Sequence, residues 1–154
     1  MPQPPILTGQ DIAEAQGAVT RLLERALEPT GVSRLEYVAL RVLVVRGPRA
    51  PRELHAFLAG QPQLGLSAAA VAELLAGLED SGHATGTAQD FAGPAQATPE
   101  GTALLARLTE AAAPSIRALY AGFDPEDLAV AHRVLVGVTE RADELAAAAA
   151  PVAG

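Results

Sequence analysis

Apolar side chains recur at helical spacing in six stretches of this 154-residue chain, and this periodicity constrains the fold more than any other feature. The first stretch carries Ile12, Val19 and Leu23, and the later ones repeat the same spacing of three and four residues. Hydrophobic residues make up 49% of the chain, whereas aromatic residues make up only 3%. Because strands favour aromatic and β-branched side chains, the mixture argues against a β-sandwich and predicts a mainly α fold.

Capping residues, prolines and glycines mark where each predicted helix begins and ends. These signals bracket six helices: between Thr8 and Pro29, from Leu35 to Arg46, between Pro51 and Gly60, between Ser67 and Ser81, from Thr98 to Tyr120, and from Asp124 onward. Pro114 lies inside the fifth helix, where it is expected to cause a kink. Residues 83–97 contain glycine and proline without apolar periodicity, which predicts a loose hairpin or loop. The tail from Ala146 to Ala150 is expected to fray.

Several classes of protein are excluded by what the chain lacks. It has no cysteine, no Gly-rich phosphate loop, no G-x-S-x-G motif and no H-x-x-x-H spacing, so we expect no metal site and no cofactor. No apolar run reaches the roughly 18 residues of a membrane span. Residues 1–5 lack the features of a secretion signal, so we expect a cytoplasmic protein without a membrane partner.

Four segments, taken in order, resemble the MarR family of winged-helix proteins. Residues 33–40 resemble its second helix, residues 47–54 the start of its helix-turn-helix, residues 67–82 its recognition helix, and residues 98–101 the segment after its wing. The resemblance implies one domain over residues 1–154, a six-helix winged helix-turn-helix with a reduced wing. A winged part at 33–97 would join a helical dimerisation region formed by 8–30 and 98–150. It also implies a homodimer, a recognition helix in the major groove and a pocket for a small-molecule ligand.

The charge distribution argues against the DNA binding that this resemblance implies. The chain has a formal net charge of −7 and eleven positive side chains, all of them arginine. Between Arg52 and Arg107 there is no base, and there are six acids, namely Glu53, Glu73, Glu79, Asp80, Asp90 and Glu100. The start of the predicted recognition helix offers Ser67, alanines and Glu73, and the predicted wing offers Asp90-Phe91-Ala92-Gly93-Pro94 without arginine. DNA affinity depends on cations at phosphates, so the sequence predicts no DNA-binding residues.

The main hypothesis from the sequence is therefore a MarR-like dimer that has lost DNA binding and acts on a small organic molecule in an apolar pocket. A cofactor-independent acid–base enzyme of the dehydratase or cyclase type would fit such a pocket. His55 stands where the family has a small residue, so it either faces a cavity or turns into solvent. His55 and Tyr37 are the predicted catalytic residues, and Arg41 and Phe57 the predicted substrate-binding residues. Tyr37 and Arg41 are four apart and share a helix face.

Two other hypotheses remain open at this point. The first is a ligand-responsive MarR-family regulator that binds DNA, with Arg46, Arg49, Arg52 and the helix start at Ser67 holding phosphates. The second is a module whose acidic helix-turn-helix face binds a basic protein. Structural roles are favoured for His83 and His132, the other two histidines.

Overall fold

The computed structural model describes residues 6–149, and its architecture is the mainly helical one that the apolar periodicity predicts. The prediction about residues 1–5, and the Ala150 end of the predicted tail, lie outside the described residues. The helices are α1 (Gly9–Leu27), α2 (Arg34–Val45), α3 (Pro51–Ala59), α4 (Ala68–Asp80), α5 (Pro99–Tyr120) and α6 (Pro125–Ala149). A 3₁₀ turn (Glu28–Thr30) follows α1, and the strands β1 (Ala84–Thr85) and β2 (Gln96–Ala97) lie between α4 and α5. Helix α5 continues through Pro114.

Local hydrogen bonds at the predicted caps explain where these helices begin. At α2 the Glu36 amide donates to Ser33 Oγ at 3.2 Å, and the Ser33 amide donates to Glu36 Oε2 at 2.9 Å. Helix α1 has the same capping box, formed by Thr8 and Asp11. Ser67 caps α4 by accepting from the Ala70 amide at 3.1 Å. Each cap satisfies amides that have no partner inside the helix, so the predicted starts of these helices are confirmed.

The hairpin after α4 is a small wing with a third, single-residue partner. Strands β1 and β2 are antiparallel, with Ala84 opposite Ala97. Arg49, just before α3, extends this ladder: its amide donates to the Ala95 carbonyl at 3.1 Å, and the Ala95 amide donates back at 2.9 Å. The predicted reduced wing is thus confirmed, and the start of α3 is attached to it.

One apolar cluster positions the helix-turn-helix. Its buried members come mainly from one face each of α2, α3, α4 and the first half of α5; they include Leu40, Leu43, Leu54, Leu58, Val71, Leu75, Leu78 and Leu108. On α4 the buried positions leave the opposite face of the helix in solvent. The core therefore fixes the orientation of α4 while leaving its outer face free.

The chain divides into two compact units at residues 116 and 117. The first holds α1 to α4, the wing and most of α5; the second holds the end of α5 and α6. Within its described residues, α6 has no buried side chain and exposes Val130, Val134, Leu135, Val138 and Leu145. No helix in residues 6–149 is both long and apolar enough to cross a bilayer. The assignment of 8–30 and 98–150 to dimerisation stays a prediction.

Gly101 allows α5 to start directly against the turn before β1. A Cβ atom at this position would overlap the carbonyl oxygen of His83, which also accepts from the Thr98 amide at 3.1 Å. We expect Gly101→Ala to lower the free energy of unfolding by about 3 kcal/mol, because this backbone contact leaves no room for a methyl group. Chemical denaturation measures the change. Gly77→Ala is the matched control: it lies in α4 with open space around it, and it should stabilise by about 0.5–1 kcal/mol. Equal behaviour of the two variants would contradict this account.

Candidate functional site

The outer face of α4 is lined by small side chains. Ala68, Ala69, Ala72 and Ala76 are exposed on it, together with Glu73. Val71, Leu75 and Leu78 are buried at the helical spacing of four and three residues, so the face opposite them points away from the core. Small side chains let a helix backbone approach a surface closely, but alanine offers no donor for reading base edges. By itself, this face provides shape rather than hydrogen bonds.

Two arginines at the end of α2 and the start of α3 gather around one aromatic ring. The guanidinium carbon of Arg46 lies 4.4 Å from the centre of the Phe57 ring, and that of Arg49 lies 5.9 Å from it. Phe57 is half-buried against the core. Cation–π contact of this kind holds two like charges near each other without an acidic partner. Within the described residues neither guanidinium group forms an ion pair; Arg46 is exposed, whereas Arg49 is half-buried and its Nε is buried without a hydrogen-bond partner.

The same edge carries a cleft of about 430 Å³ between the start of α3 and the tip of the wing. Arg49 and Arg52 line the cleft on the α3 side, and Asp90, Phe91 and Pro94 line it on the side of the wing. The backbone bridge between Arg49 and Ala95 sets this arrangement. Two cations thus stand beside a wing that has no basic residue of its own.

Thr87 is a buried polar hub behind α4, only 2% exposed. Its hydroxyl donates to Glu79 Oε2 at 2.6 Å, and its amide donates to the same oxygen at 3.0 Å. The Gly86 amide donates to Glu79 Oε1 at 3.3 Å. His55 Nε2 lies 2.8 Å from the Thr87 carbonyl oxygen, and since a carbonyl only accepts, this nitrogen donates. The hub connects α3, α4 and the wing.

These bonds have an electrostatic consequence for Glu79. Donation from the Thr87 side chain, then from the Thr87 and Gly86 amides, lowers the pKa of the Glu79 carboxyl below its ordinary value, although burial opposes the change. Glu79 and Asp80 stand at the C-terminal end of α4, where the helix dipole disfavours acids. The donors from the wing offset that penalty at Glu79.

The predicted catalytic and substrate-binding residues do not form one site. His55 is 5% exposed, so its predicted alternative position in solvent is wrong, and it lines a cleft with Glu79 and Thr87. Tyr37 is half-buried against the core, and Arg41 is exposed; neither lines that cleft. Phe57 lies under the arginines instead. The catalytic roles of His55 and Tyr37 stay predictions.

The other two histidines have separate surroundings. His83 is half-buried, with its backbone carbonyl accepting from Thr98, and His132 is exposed on α6. Within residues 6–149, no three histidine, aspartate or glutamate side chains are grouped in a way that could hold a metal ion.

Comparison with solved structures relates this geometry to known proteins. The crystal structure of the transcriptional regulator PA3341 matches with a TM-score of 0.72 and 26% identity, covering 88% of this chain and 98% of that one. The Mycobacterium tuberculosis MarR family protein Rv2887, in complex with DNA, matches with a TM-score of 0.64 and 25% identity over 86% and 98% of the two chains. Wild-type MarR from E. coli, in its apo form, matches at 0.67 and 18%, over 88% and 98%.

Rv2887 also matches in its complex with salicylic acid, with a TM-score of 0.64 and 23% identity over 86% of this chain and 99% of that one. No family model matches this sequence, and no curated protein matches it either.

These similarities overturn the main hypothesis from the sequence, the loss of DNA binding in favour of work on a small molecule. The neighbours include a transcriptional regulator and a protein solved on DNA, and nothing in the structure indicates lost DNA binding. The count of charges along the sequence was misleading because it ignored which charged residues the fold brings together. Arg49 and Arg52 precede the acidic segment in sequence, but the fold places them beside residues 89–95 of the wing, within that segment. A lyase or dehydratase activity stays a prediction, and the neighbours offer it no support.

Neither Thr87 nor its contact with Glu79 was predicted from the sequence. One signal was present: two acids in succession at a helix C-terminus are unfavourable unless donors approach them. The donors come from residues seven and eight positions further on, after a turn whose path the sequence does not specify.

Acidification should loosen the wing, because the pKa of Glu79 is lowered in the folded protein. Its contribution to stability is complete above the ordinary value of 4.5 and is lost as the pH falls through the lowered, folded pKa. Glu79→Gln should mimic this loss at neutral pH and speed hydrogen exchange of the Gly86 and Thr87 amides by about three- to tenfold. Glu73→Gln removes the same charge from the outer face of α4 and should leave these two amides unchanged. Unaltered exchange in Glu79→Gln would refute the role assigned to the hub.

Proposed function

We propose, from the premise that this chain has the winged-helix fold of the MarR family, that it is a transcriptional regulator that binds duplex DNA. In this proposal it acts as a homodimer, and a small organic molecule alters its affinity for DNA. The likeness to Rv2887, which was solved on DNA, supports the interpretation. The observation that carries it in this chain is the placement of Arg49 and Arg52 in one cleft with the wing tip.

Phosphate contact is the proposed task of these arginines. Arg52 is exposed in the first turn of α3 and makes no ion pair within the described residues. Arg46 and Arg49 share the Phe57 ring rather than an acid. Guanidinium groups form two-pronged hydrogen bonds with phosphate, and displaced counterions supply most of the affinity for DNA. The cationic edge then offsets the acidic segment between Arg52 and Arg107.

The outer face of α4 is the proposed surface for the major groove. With four alanines and Glu73 exposed, it makes few hydrogen bonds to base edges. We therefore expect sequence preference to come mainly from DNA shape and from the fixed spacing of phosphate contacts. Two copies in a symmetric dimer would read two half-sites about one helical turn apart.

A small aromatic carboxylate is the class of effector we assign by analogy with Rv2887 and its salicylic acid complex. A groove of about 580 Å³ between the end of α1 and the start of α2 offers cations for such an anion. Arg21, Arg25 and Arg34 line it, and Glu24 holds Arg34 in place at 3.3 Å. Two acids in the same groove, Glu24 and Glu28, limit it to ligands with one or two negative charges.

Replacing Arg52 tests the phosphate contacts. Fluorescence anisotropy with a labelled mixed-sequence duplex at low salt should show binding that weakens steeply as salt rises. Arg52→Gln should weaken binding about equally for all sequences and reduce the salt slope by about one. Arg107→Gln removes the same charge from the middle of α5 and should bind as the unaltered protein does. Absence of salt-sensitive binding by the unaltered protein would refute the proposed function.

The homodimer is tested on α6, whose apolar side chains have no cover within the described chain. Leu135 is 43% exposed and lies among the apolar side chains that recur along α6. A glutamate at this position would place a charge in an apolar interface, so Leu135→Glu should weaken association at least about tenfold. Sedimentation equilibrium measures this constant. Gly137→Glu adds the same charge on the other side of the helix, where a Cβ has open space, and should leave the dimer intact. A monomeric unaltered protein would contradict the proposal.

A further inference from the structure

The wing presents an aromatic ring to solvent between its two short strands. Phe91 is 51% exposed, and it directly follows Asp90, which is also exposed. Tyr37 and Phe57, the other aromatic residues of the first compact unit, are half-buried against the core instead. A single exposed ring is common on protein surfaces, so its surroundings decide whether it has a task.

Backbone that carries no side chain supports one part of this ring. A Cβ atom at Gly86 would come within 2.6 Å of Cε1 of Phe91, and one at Gly93 would come within 2.8 Å of the same atom. The Phe91 amide donates to the Ala88 carbonyl at 3.0 Å and closes the turn that holds the ring. A ring supported in this way loses little conformational freedom when its exposed part meets a partner.

Charged side chains share a cleft with the ring. Arg49 and Arg52 line this cleft on the α3 side, and Asp90 lines it with Phe91 on the side of the wing. Asp90 makes no ion pair within residues 6–149. Two cations, one acid and an exposed ring therefore occupy one edge of the winged domain. Duplex DNA matches this combination, because it offers phosphates to the cations and apolar sugar and base surfaces to the ring.

We propose that Phe91 is an apolar wedge that enters the minor groove of duplex DNA and partly unstacks one base step, while Arg49 and Arg52 hold neighbouring phosphates. A phenyl ring has no donor or acceptor for reading base edges. Apolar side chains contribute to DNA binding in another way: inserted from the minor groove, they separate two base pairs and kink the duplex. This inference rests on the proposed function and adds to it a residue that selects the DNA sequence.

A wedge of this kind selects steps that unstack easily. Pyrimidine–purine steps such as TA are flexible, whereas A-tracts are stiff and have a narrow minor groove. Asp90 acts in the same direction, because the negative potential of that narrow groove attracts cations and repels a carboxylate beside the ring. The wing of this protein therefore favours TA steps over A-tracts, and an arginine in place of Phe91 would favour the reverse.

The test compares two duplexes of equal length and base composition with the full chain. In one duplex the A·T pairs form TA steps, and in the other they form A-tracts. Fluorescence anisotropy at low salt measures both affinities, and their ratio separates the choice of step from general attraction to phosphates. We expect the unaltered protein to bind the TA duplex about five- to tenfold more tightly. Equal affinities, or a preference for A-tracts, would overturn the proposal.

Variants at the wing assign the preference to the ring. Phe91→Ala should bring the ratio of affinities to about one and leave the salt slope unchanged, because it removes no charge. Phe91→Leu keeps an apolar wedge and should keep most of the preference. Asp90→Asn should strengthen binding to the A-tract duplex about two- to fivefold.

A second exposed ring provides the matched control. Phe123, in the turn between α5 and α6, is 61% exposed and belongs to the second compact unit. Phe123→Ala should leave the ratio of affinities unchanged, whatever it does to affinity itself. If Phe123→Ala lowers the ratio as much as Phe91→Ala does, the assignment to Phe91 is refuted.

A fluorescent base reports the unstacking directly. 2-Aminopurine in place of adenine in the TA steps brightens when it leaves the base stack. Saturating amounts of the unaltered protein and of Phe91→Leu should brighten it, and Phe91→Ala should not. This readout separates a wedge from a ring that only supports the wing, since a ring that only supports the wing does not unstack bases. No brightening by the unaltered protein at saturation would refute the wedge.

The wedge and the proposed function fail in different ways. Absence of binding to both duplexes at low salt would refute the DNA-binding function, and the wedge with it. Salt-sensitive binding to both duplexes without a preference or a change in base stacking would refute the wedge alone and leave the regulator standing.

Discussion

The hydrogen bonds around Thr87 are the constraint on which the winged part of this protein depends. Apolar packing buries one face of α4 in the same core as Ala84 and Ala95 of the wing. Thr87 adds directional contacts to this packing, because its hydroxyl and amide donate to Glu79 on α4 and its carbonyl accepts from His55 on α3. With the hub at 2% exposure, each of these bonds replaces one that water would otherwise make. Losing any member leaves a buried group unsatisfied, so helix and wing hold their relative position as a unit.

Which charged side chains of this protein lie near one another depends on the fold and not on their order in the sequence. The acidic segment and the cations that precede it look like separate regions along the chain. The bridge from Arg49 to Ala95 brings the cations that directly precede the acidic segment next to the wing, inside that segment. Arginines that share an aromatic ring then line one side of the winged domain, and Glu79 and Asp80 line a separate cleft.

The helices could be predicted because their determinants are local. Ser33 and Glu36 are three residues apart, and their capping box forms whatever the rest of the chain does. The wing and its partners could not be predicted in the same way. Arg49 meets Ala95 across 46 positions, and His55 meets Thr87 across 32, so both contacts depend on how four helices pack. The sequence marked His55 as unusual, but only the fold showed that its ring donates to the backbone.

In the described part of the chain, residues 6–149, helix α6 has no buried side chain, although valine and leucine recur along it. Burial of apolar surface is the main source of stability for a helix in water, and in the proposed homodimer a second copy would supply it. Mass action then links the order of this segment to protein concentration. A cell with few copies of the protein would hold a larger share of chains with a fraying C-terminal helix, which proteases cut most readily. Abundance would in this way regulate the lifetime of the protein as well as the number of molecules able to act.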